Sequence, residues 1–174
     1  KEVTINNKKY TLRVANNTTP AECSNTNFSK TACGFVVEFT DIVELKEINS
    51  TETNVGGWEK SEIRTYLNNS FFLKLPKNLQ DAIISTKVFS GYGSNDTTNF
   101  TTNDKIYLLS AREILTDGKT NYVSSTDSAY NLSRQLDYYS INKVTTENFS
   151  LLIKKYDGIN NIWWLRNTTN STFM

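Results

Sequence analysis

Apolar residues along this chain recur with two rhythms, one every second position and one every third to fourth. Val3-Thr4-Ile5 and Tyr10-Thr11-Leu12-Arg13-Val14 alternate apolar with polar around Asn6-Asn7-Lys8, a pattern that predicts a β-hairpin. Asn16 to Lys30 is polar and reads as a loop. Gly34 to Leu45 (GFVVEFTDIVEL) is a long β-rich run that places Phe35, Val37, Phe39 and Val43 on one side, and it is the expected central strand. A helix is expected to open at Trp58, with Ile63, Tyr66 and Leu67 at i, i+3 and i+4 and a stop at Asn68-Asn69-Ser70. A second starts at Leu75-Pro76, with Leu79, Ala82 and Ile83 inward.

Thr86 to Ser90 reads as a short strand, and Gly91 to Asp104 as a long, oxygen-rich loop. Lys105 to Leu109 is expected to be a strand. Ser110 and Glu113 have capping-box spacing for the helix after them. Asp127 is placed to cap a further helix with Ala129, Leu132, Leu136 and Tyr139 inward. Phe149 to Ile153 fits strand or helix, and Asn160-Asn161 predicts a turn into a last strand, Ile162-Trp163-Trp164-Leu165-Arg166. Strands and helices are interspersed without a βαβ rhythm or a Gly-rich phosphate loop. The expectation is therefore an α+β fold, a mainly antiparallel sheet with three to four short helices, in a single domain over residues 1–174.

Composition narrows the chemistry. Lysine and arginine total 19 against 18 aspartates and glutamates, so no basic stripe points to nucleic acid. No run of apolar residues is long enough to span a membrane. There is no histidine, which removes Ser-His-Asp and Cys-His catalysis and His-ligated zinc. The carboxylate pairs Glu59/Glu62 and Asp41/Glu44 read as ordinary surface acids, and no catalytic residue is assigned. Cys23 and Cys33 are too few for a thiolate zinc site; a disulfide closing a small loop is the first reading, with two buried free thiols as the alternative. Asn-x-Ser/Thr triplets at Asn27, Asn49, Asn68, Asn99, Asn131, Asn148 and Asn167 fit the Asn- and Thr-rich usage of an AT-rich bacterial genome.

Two aromatic groupings are the binding candidates. In a strand, Trp164 and Arg166 share a face, and an indole with an arginine can stack on a sugar ring or grip a partner. The plainer reading is core tryptophan with an arginine salt bridge. Tyr138, four residues after Arg134, is expected beside it on a helix, lining a groove or simply packed on the sheet. With Trp58 these give the candidate ligand-binding set Trp164, Arg166, Tyr138 and Trp58. Asp96, Asn99 and Asp104 are candidate calcium ligands in the oxygen-rich loop, although the spacing matches no EF-hand. Otherwise no metal and no cofactor is expected.

Gly56-Gly57-Trp58-Glu59-Lys60-Ser61-Glu62-Ile63-Arg64, Asp104-Lys105-Ile106-Tyr107-Leu108-Leu109-Ser110 with Glu113, Arg134-Gln135-Leu136-Asp137-Tyr138-Tyr139, and Trp163-Trp164-Leu165-Arg166 succeed one another in an order that resembles a domain-of-unknown-function family from surface proteins of low-GC Gram-positive bacteria. The resemblance implies an extracellular, cell-surface location, and its layout is similar to C-type-lectin-like modules. The lectin calcium signatures Glu-Pro-Asn and Trp-Asn-Asp are absent. Asn167 stands where the family usually has serine, and the family usually continues into further strands. The expectation is thus a domain lacking its C-terminal strands, open to a strand-donating partner chain. Its expected role is non-catalytic recognition of a glycan or a surface protein. The alternative is a structural stalk or assembly module completed by strand pairing.

Overall fold

Two of the three sheets are closed by two-residue turns that the sequence supplies directly. A computed structural model describes residues 1–93, 98–115 and 127–168. Strand β1 (Glu2–Ile5) turns through Asn6-Asn7 into β2 (Lys8–Asn16), and both turn residues take positive φ, 49° and 64°. Asparagine tolerates that region, and such turns match the twist of the strands they join. The same device, Asp157-Gly158 at 49° and 81°, joins β6 (Lys154–Tyr156) to β7 (Ile159–Asn161). The two turns meet: Lys8 is paired with Asp157, and its ammonium also lies over the rings of Tyr10 and Tyr156.

The architecture is α+β, with antiparallel strands and helices, and the strands among the described residues fall into three small sheets. The first has the order β1-β2-β3, with β3 at Val36–Phe39. The Gly34–Leu45 run is therefore not the central strand; β2 is. Beyond Phe39 the Thr40 N–H still bonds to the β2 backbone at Thr11 O, and the chain then leaves the sheet, with the Ile42 N–H donating to Lys155 O at 2.9 Å and Val43 O accepting from the side-chain hydroxyl of Tyr10. Phe35 and Val37 consequently face out.

The second sheet pairs β4 (Thr86–Gly91) with β5 (Asn99–Asp104). Half of the expected loop is thus a strand, and its buried side chains are Phe100, Thr102 and Asp104. Lys105–Leu109, expected as a strand, pairs with none among the described residues. Asn68 takes the ladder's place, its Oδ1 accepting from the N–H groups of Lys105 (2.7 Å) and Ile106 (3.1 Å) while its Nδ2 donates to Ile106 O (2.8 Å).

The described helices are short. α1 (Gly57–Lys60) is separated from α2 (Glu62–Tyr66) by Ser61, whose hydroxyl donates to Trp58 O and accepts from the Arg64 N–H. Asn68-Asn69-Ser70 does not stop this helix; it continues as a π turn over Leu67–Phe71 and a 3₁₀ turn over Phe72–Lys74. α3 (Lys77–Ala82) starts after Pro76. At α4 (Ala111–Ile114) the Ser110 N–H donates to the Glu113 carboxylate at 2.9 Å. The helix expected after Asp127 is broken into a 3₁₀ turn, Tyr130–Leu132, and α5 (Asp137–Ile141). Ala129, Leu136 and Tyr139 are buried as expected and Leu132 is half-buried.

Three clusters of buried side chains result. One gathers Ala15, Ala32, Ile114, Leu136, Tyr139 and Leu165; a second Trp58, Ile63, Val88 and Phe100; a third Ile5, Phe71 and Leu75. Cys23 and Cys33 form the disulfide. It closes the loop that delivers Ser29 and Thr31 to the interior, where their hydroxyls bond at 2.7 Å. Reducing it is expected to cost about 2–3 kcal/mol, from the chain entropy of a loop this size. Urea unfolding with and without reductant measures this, and an unchanged midpoint would contradict it.

Candidate functional site

The arginine of the double-tryptophan segment lies inside the protein. Arg166 grips Glu113 with two bonds, Nη1 to Oε2 at 2.6 Å and Nη2 to Oε1 at 2.5 Å, and both side chains are buried. Nη1 also donates to Leu108 O at 2.8 Å. Glu113 further accepts from the hydroxyls of Thr31 and Ser133 and from the Ser110 N–H. Burial alone would raise the Glu113 pKa, but the facing guanidinium and this ring of donors hold it below the ordinary carboxylate value. The neighbouring Asn167 accepts from the Ala111 N–H at 2.5 Å and donates to Asp127. Asp127 lies above its ordinary value because burial outweighs these bonds.

Trp58 is equally internal. Its indole N–H donates to Asp104 Oδ2 at 2.9 Å; Asp104 also takes Arg64 Nε at 2.8 Å and the Thr102 hydroxyl at 2.6 Å. The oxygens of Asp104 are therefore engaged by protein donors. Asn99 stands at the opposite end of β5 and accepts from the Ser128 hydroxyl, while Asp96 lies outside the described residues. Among the described residues, no three His, Cys, Asp or Glu side chains are grouped so as to hold a metal ion.

Tyr138 is half-buried at a third polar cluster. The Arg13 guanidinium lies 3.9 Å from its ring centre, and Glu38 joins Arg13 (2.9 Å), the Tyr139 hydroxyl (2.9 Å) and Lys154 Nζ (3.1 Å). Burial draws Lys154 below its usual pKa, and burial beside Glu38 raises Tyr139 above its own. Arg134 is not Tyr138's helical neighbour, because α5 begins only at Asp137. It bonds instead to Asp137 (2.9 Å) and Asn16 (2.8 Å).

Ile162–Leu165 is not a strand; β7 ends at Asn161. Trp164 is 37% exposed, with its N–H bonded to Lys46 O at 3.2 Å. Trp163 is half-buried. Its N–H donates to Leu152 O at 2.7 Å, and it forms part of a shallow, open hollow of about 570 Å³ with Phe149, Ile153, Asn160 and Ile162. No lining side chain carries a charge. Ile162 is 86% exposed and Phe149 54%.

The structure thus separates the four sequence-derived ligand residues. Trp58 and Arg166 are core, and Tyr138 and Trp164 lie outside the hollow's lining. Reading the residues alone missed the hollow, and charge gives no signal for it: the uncharged run Gly158 to Leu165 is matched by Val14 to Ala21 and exceeded by Thr65 to Leu73.

A family model described as a domain of unknown function, DUF6273, matches residues 35–174. No curated protein and no solved structure matches the chain.

Arg166→Met is expected to destabilise by about 3–5 kcal/mol, because it leaves Glu113 buried without its counter-charge. Adding Glu113→Gln recovers part of the loss. The pH response also inverts. In the parent, the stability from Glu113's lowered pKa is present above about pH 4.3 and is lost as pH falls through the folded value. In Arg166→Met the carboxyl pKa rises above its unfolded value, so stability is highest in acid and falls as pH rises. Urea midpoints between pH 3 and 8 (roughly the carboxylate titration range and beyond it) test both signs.

Proposed function

We propose, for a chain that belongs to the DUF6273 family of domains of unknown function, a non-catalytic recognition role whose contact surface is the uncharged hollow beside Trp163. The observation that carries this reading is the hollow itself: Phe149, Ile153, Ile162 and Trp163 line it with no charged side chain among the lining residues, and the buried Lys154 ammonium lies 5.0 Å from the centre of the Trp163 ring. Exposed apolar surface of this kind marks contact sites. The occupant is an uncharged surface, either the apolar side of a protein or the apolar face of a glycan. The Trp163 N–H is already bonded to Leu152 O, so Asn160 and Asn161 are the side chains left to orient it.

A non-catalytic role is supported by the absence of histidine and by the engagement of three inward carboxylates in structural bonds: Glu38 with Arg13, Tyr139 and Lys154; Asp104 with Trp58 and Arg64; Glu113 with Arg166. An extracellular place, on the surface of a Gram-positive bacterium, accords with the Cys23–Cys33 disulfide and with the sequence resemblance. No helix among the described residues is long and apolar enough to cross a membrane. The C-type-lectin-like layout stays a fold-level analogy, supported only by Trp163 and Leu165 packing against the largest core cluster. Calcium has no part in the proposed binding.

The second reading, an assembly module joined by strand pairing, draws on one feature. Among the described residues β7 pairs with β6 alone, and its three residues are all exposed.

Screening the chain against glycan and uncharged-peptide panels tests recognition. Ile162→Glu places a charge in the hollow at a solvent-exposed position. It is expected to weaken any hit at least about tenfold while leaving the unfolding midpoint unchanged. Trp164→Ala, outside the lining, is expected to change binding less. Hits insensitive to Ile162→Glu would move the site elsewhere.

A further inference from the structure

The hydrogen-bonding parity of the last hairpin identifies an occupant for the hollow. Tyr156 and Ile159 flank the two-residue turn, so they face each other with their backbone groups bonded, and Lys154 and Asn161 repeat the arrangement. Lys155 and Asn160, between them, turn their N–H and C=O groups away from each other. On the Lys155 side this is visible: its N–H donates to Asp41 Oδ1 and its C=O accepts from the Ile42 N–H. On the Asn160 side the corresponding groups point off the edge of β7 that no described strand pairs. Among the described residues, nothing bonds to the backbone of Asn160 or Ile162.

We infer that a second copy of this chain adds its own β7 to that edge, antiparallel, about a two-fold axis at Asn161. This rests on the reading of the hollow as a contact surface and names what fills it. Residues opposite one another across a sheet project to the same face, so a two-fold pairing can centre only on a residue. Centring on Asn161 sets the two unbonded backbones against each other, Asn160 of each copy with Ile162 of the other, and forms four N–H···O=C bonds. It also sets Ile159, 72% exposed, opposite Trp163 of the second copy, at that copy's hollow.

The charge pattern fits such a contact, and its small area makes it weak. A two-fold axis doubles any like-charge clash, and natural sheet edges are commonly blunted with lysine or proline. Gly158 to Leu165 contains neither and carries no charge. A patch of this type offers on the order of 300–600 Å² per copy, below the ~800 Å² per partner of a stable complex. The self-association is therefore weak and depends on protein concentration.

Sedimentation velocity on the full chain over rising concentration reads the association directly, and Asn161→Cys reads the register. At the axis, two introduced thiols face one another. Under mild oxidation Asn161→Cys is expected to form a covalent dimer at least about tenfold faster than the exposed control Asn78→Cys, because pairing raises the thiols' effective concentration. Asn160→Pro removes an outward N–H and leaves the β6–β7 ladder intact, so it is expected to abolish association without lowering the unfolding midpoint. A wild-type chain that stays monomeric at millimolar concentration, with Asn161→Cys no faster than the control, overturns the inference. If such a monomer still binds a glycan or peptide in an Ile162-dependent way, the hollow is a recognition site and the second copy is not its occupant.

Discussion

The Glu113–Arg166 pair is the constraint around which the interior is arranged. A carboxylate and a guanidinium buried together are costly to desolvate, and here Arg166 Nε has no partner among the described residues, while both Glu113 oxygens and Arg166 Nη1 take further partners. Those groups come from distant parts of the chain: Thr31 inside the disulfide loop, Leu108 and Ser110 before α4, and Ser133 after the 3₁₀ turn. The neighbouring backbone is tied in as well, with the Arg166 N–H on Leu109 O and the Leu136 N–H on Glu113 O. The pair thus specifies where four segments cross. Its contribution is to the uniqueness of that crossing more than to net stability, since an apolar replacement of equal volume can be as stable.

The uncharged hollow is a result of the same crossing. Drawing Arg166 inward pulls Leu165, Asn167 and Thr168 into the interior with it. The residues just before it are left where the chain enters the core, and there they cannot continue the β6–β7 hairpin. Trp163 is held by Leu152 O and Trp164 by Lys46 O, so the two indoles point to different parts of the surface. The bond from Trp163 to Leu152 sets the 3₁₀ turn at Ser150–Leu152 beside β7, and the gap between them is the hollow.

How much of this could be read from residues depended on how local the determining contact was. The first hairpin was legible because Asn6-Asn7 and the flanking alternation suffice to define it. The disulfide and the Glu113 contact to the start of α4 span short separations and were legible for the same reason. Strand β5 was not, because its inward positions include Thr102 and Asp104, which hydrophobicity assigns to solvent. Asp104 is inside only because Trp58 and Arg64, some 40 residues before it in the chain, meet it there. For Arg166 the plainer reading, a buried salt bridge, held, and the alternative that set it on a ligand-facing surface did not, for a related reason. The alternation rule that put it beside Trp164 presumes a paired strand, and Ile162 to Leu165 has none. The order of motifs from Gly56 to Arg166 fared better: the matched family spans them, even though it supplies no chemistry.

The family match begins at residue 35, yet the stretch before that residue is woven into the rest of the fold. β2 lies between β1 and β3, Arg13 reaches Glu38, and Thr31 reaches Glu113. A chain trimmed to the family boundary would bare one side of β3 and strip a hydroxyl from a buried carboxylate. For this protein the unit that folds is therefore larger than the unit that sequence families recognise, and its leading segment behaves as an integral wall of the molecule, not as a tether.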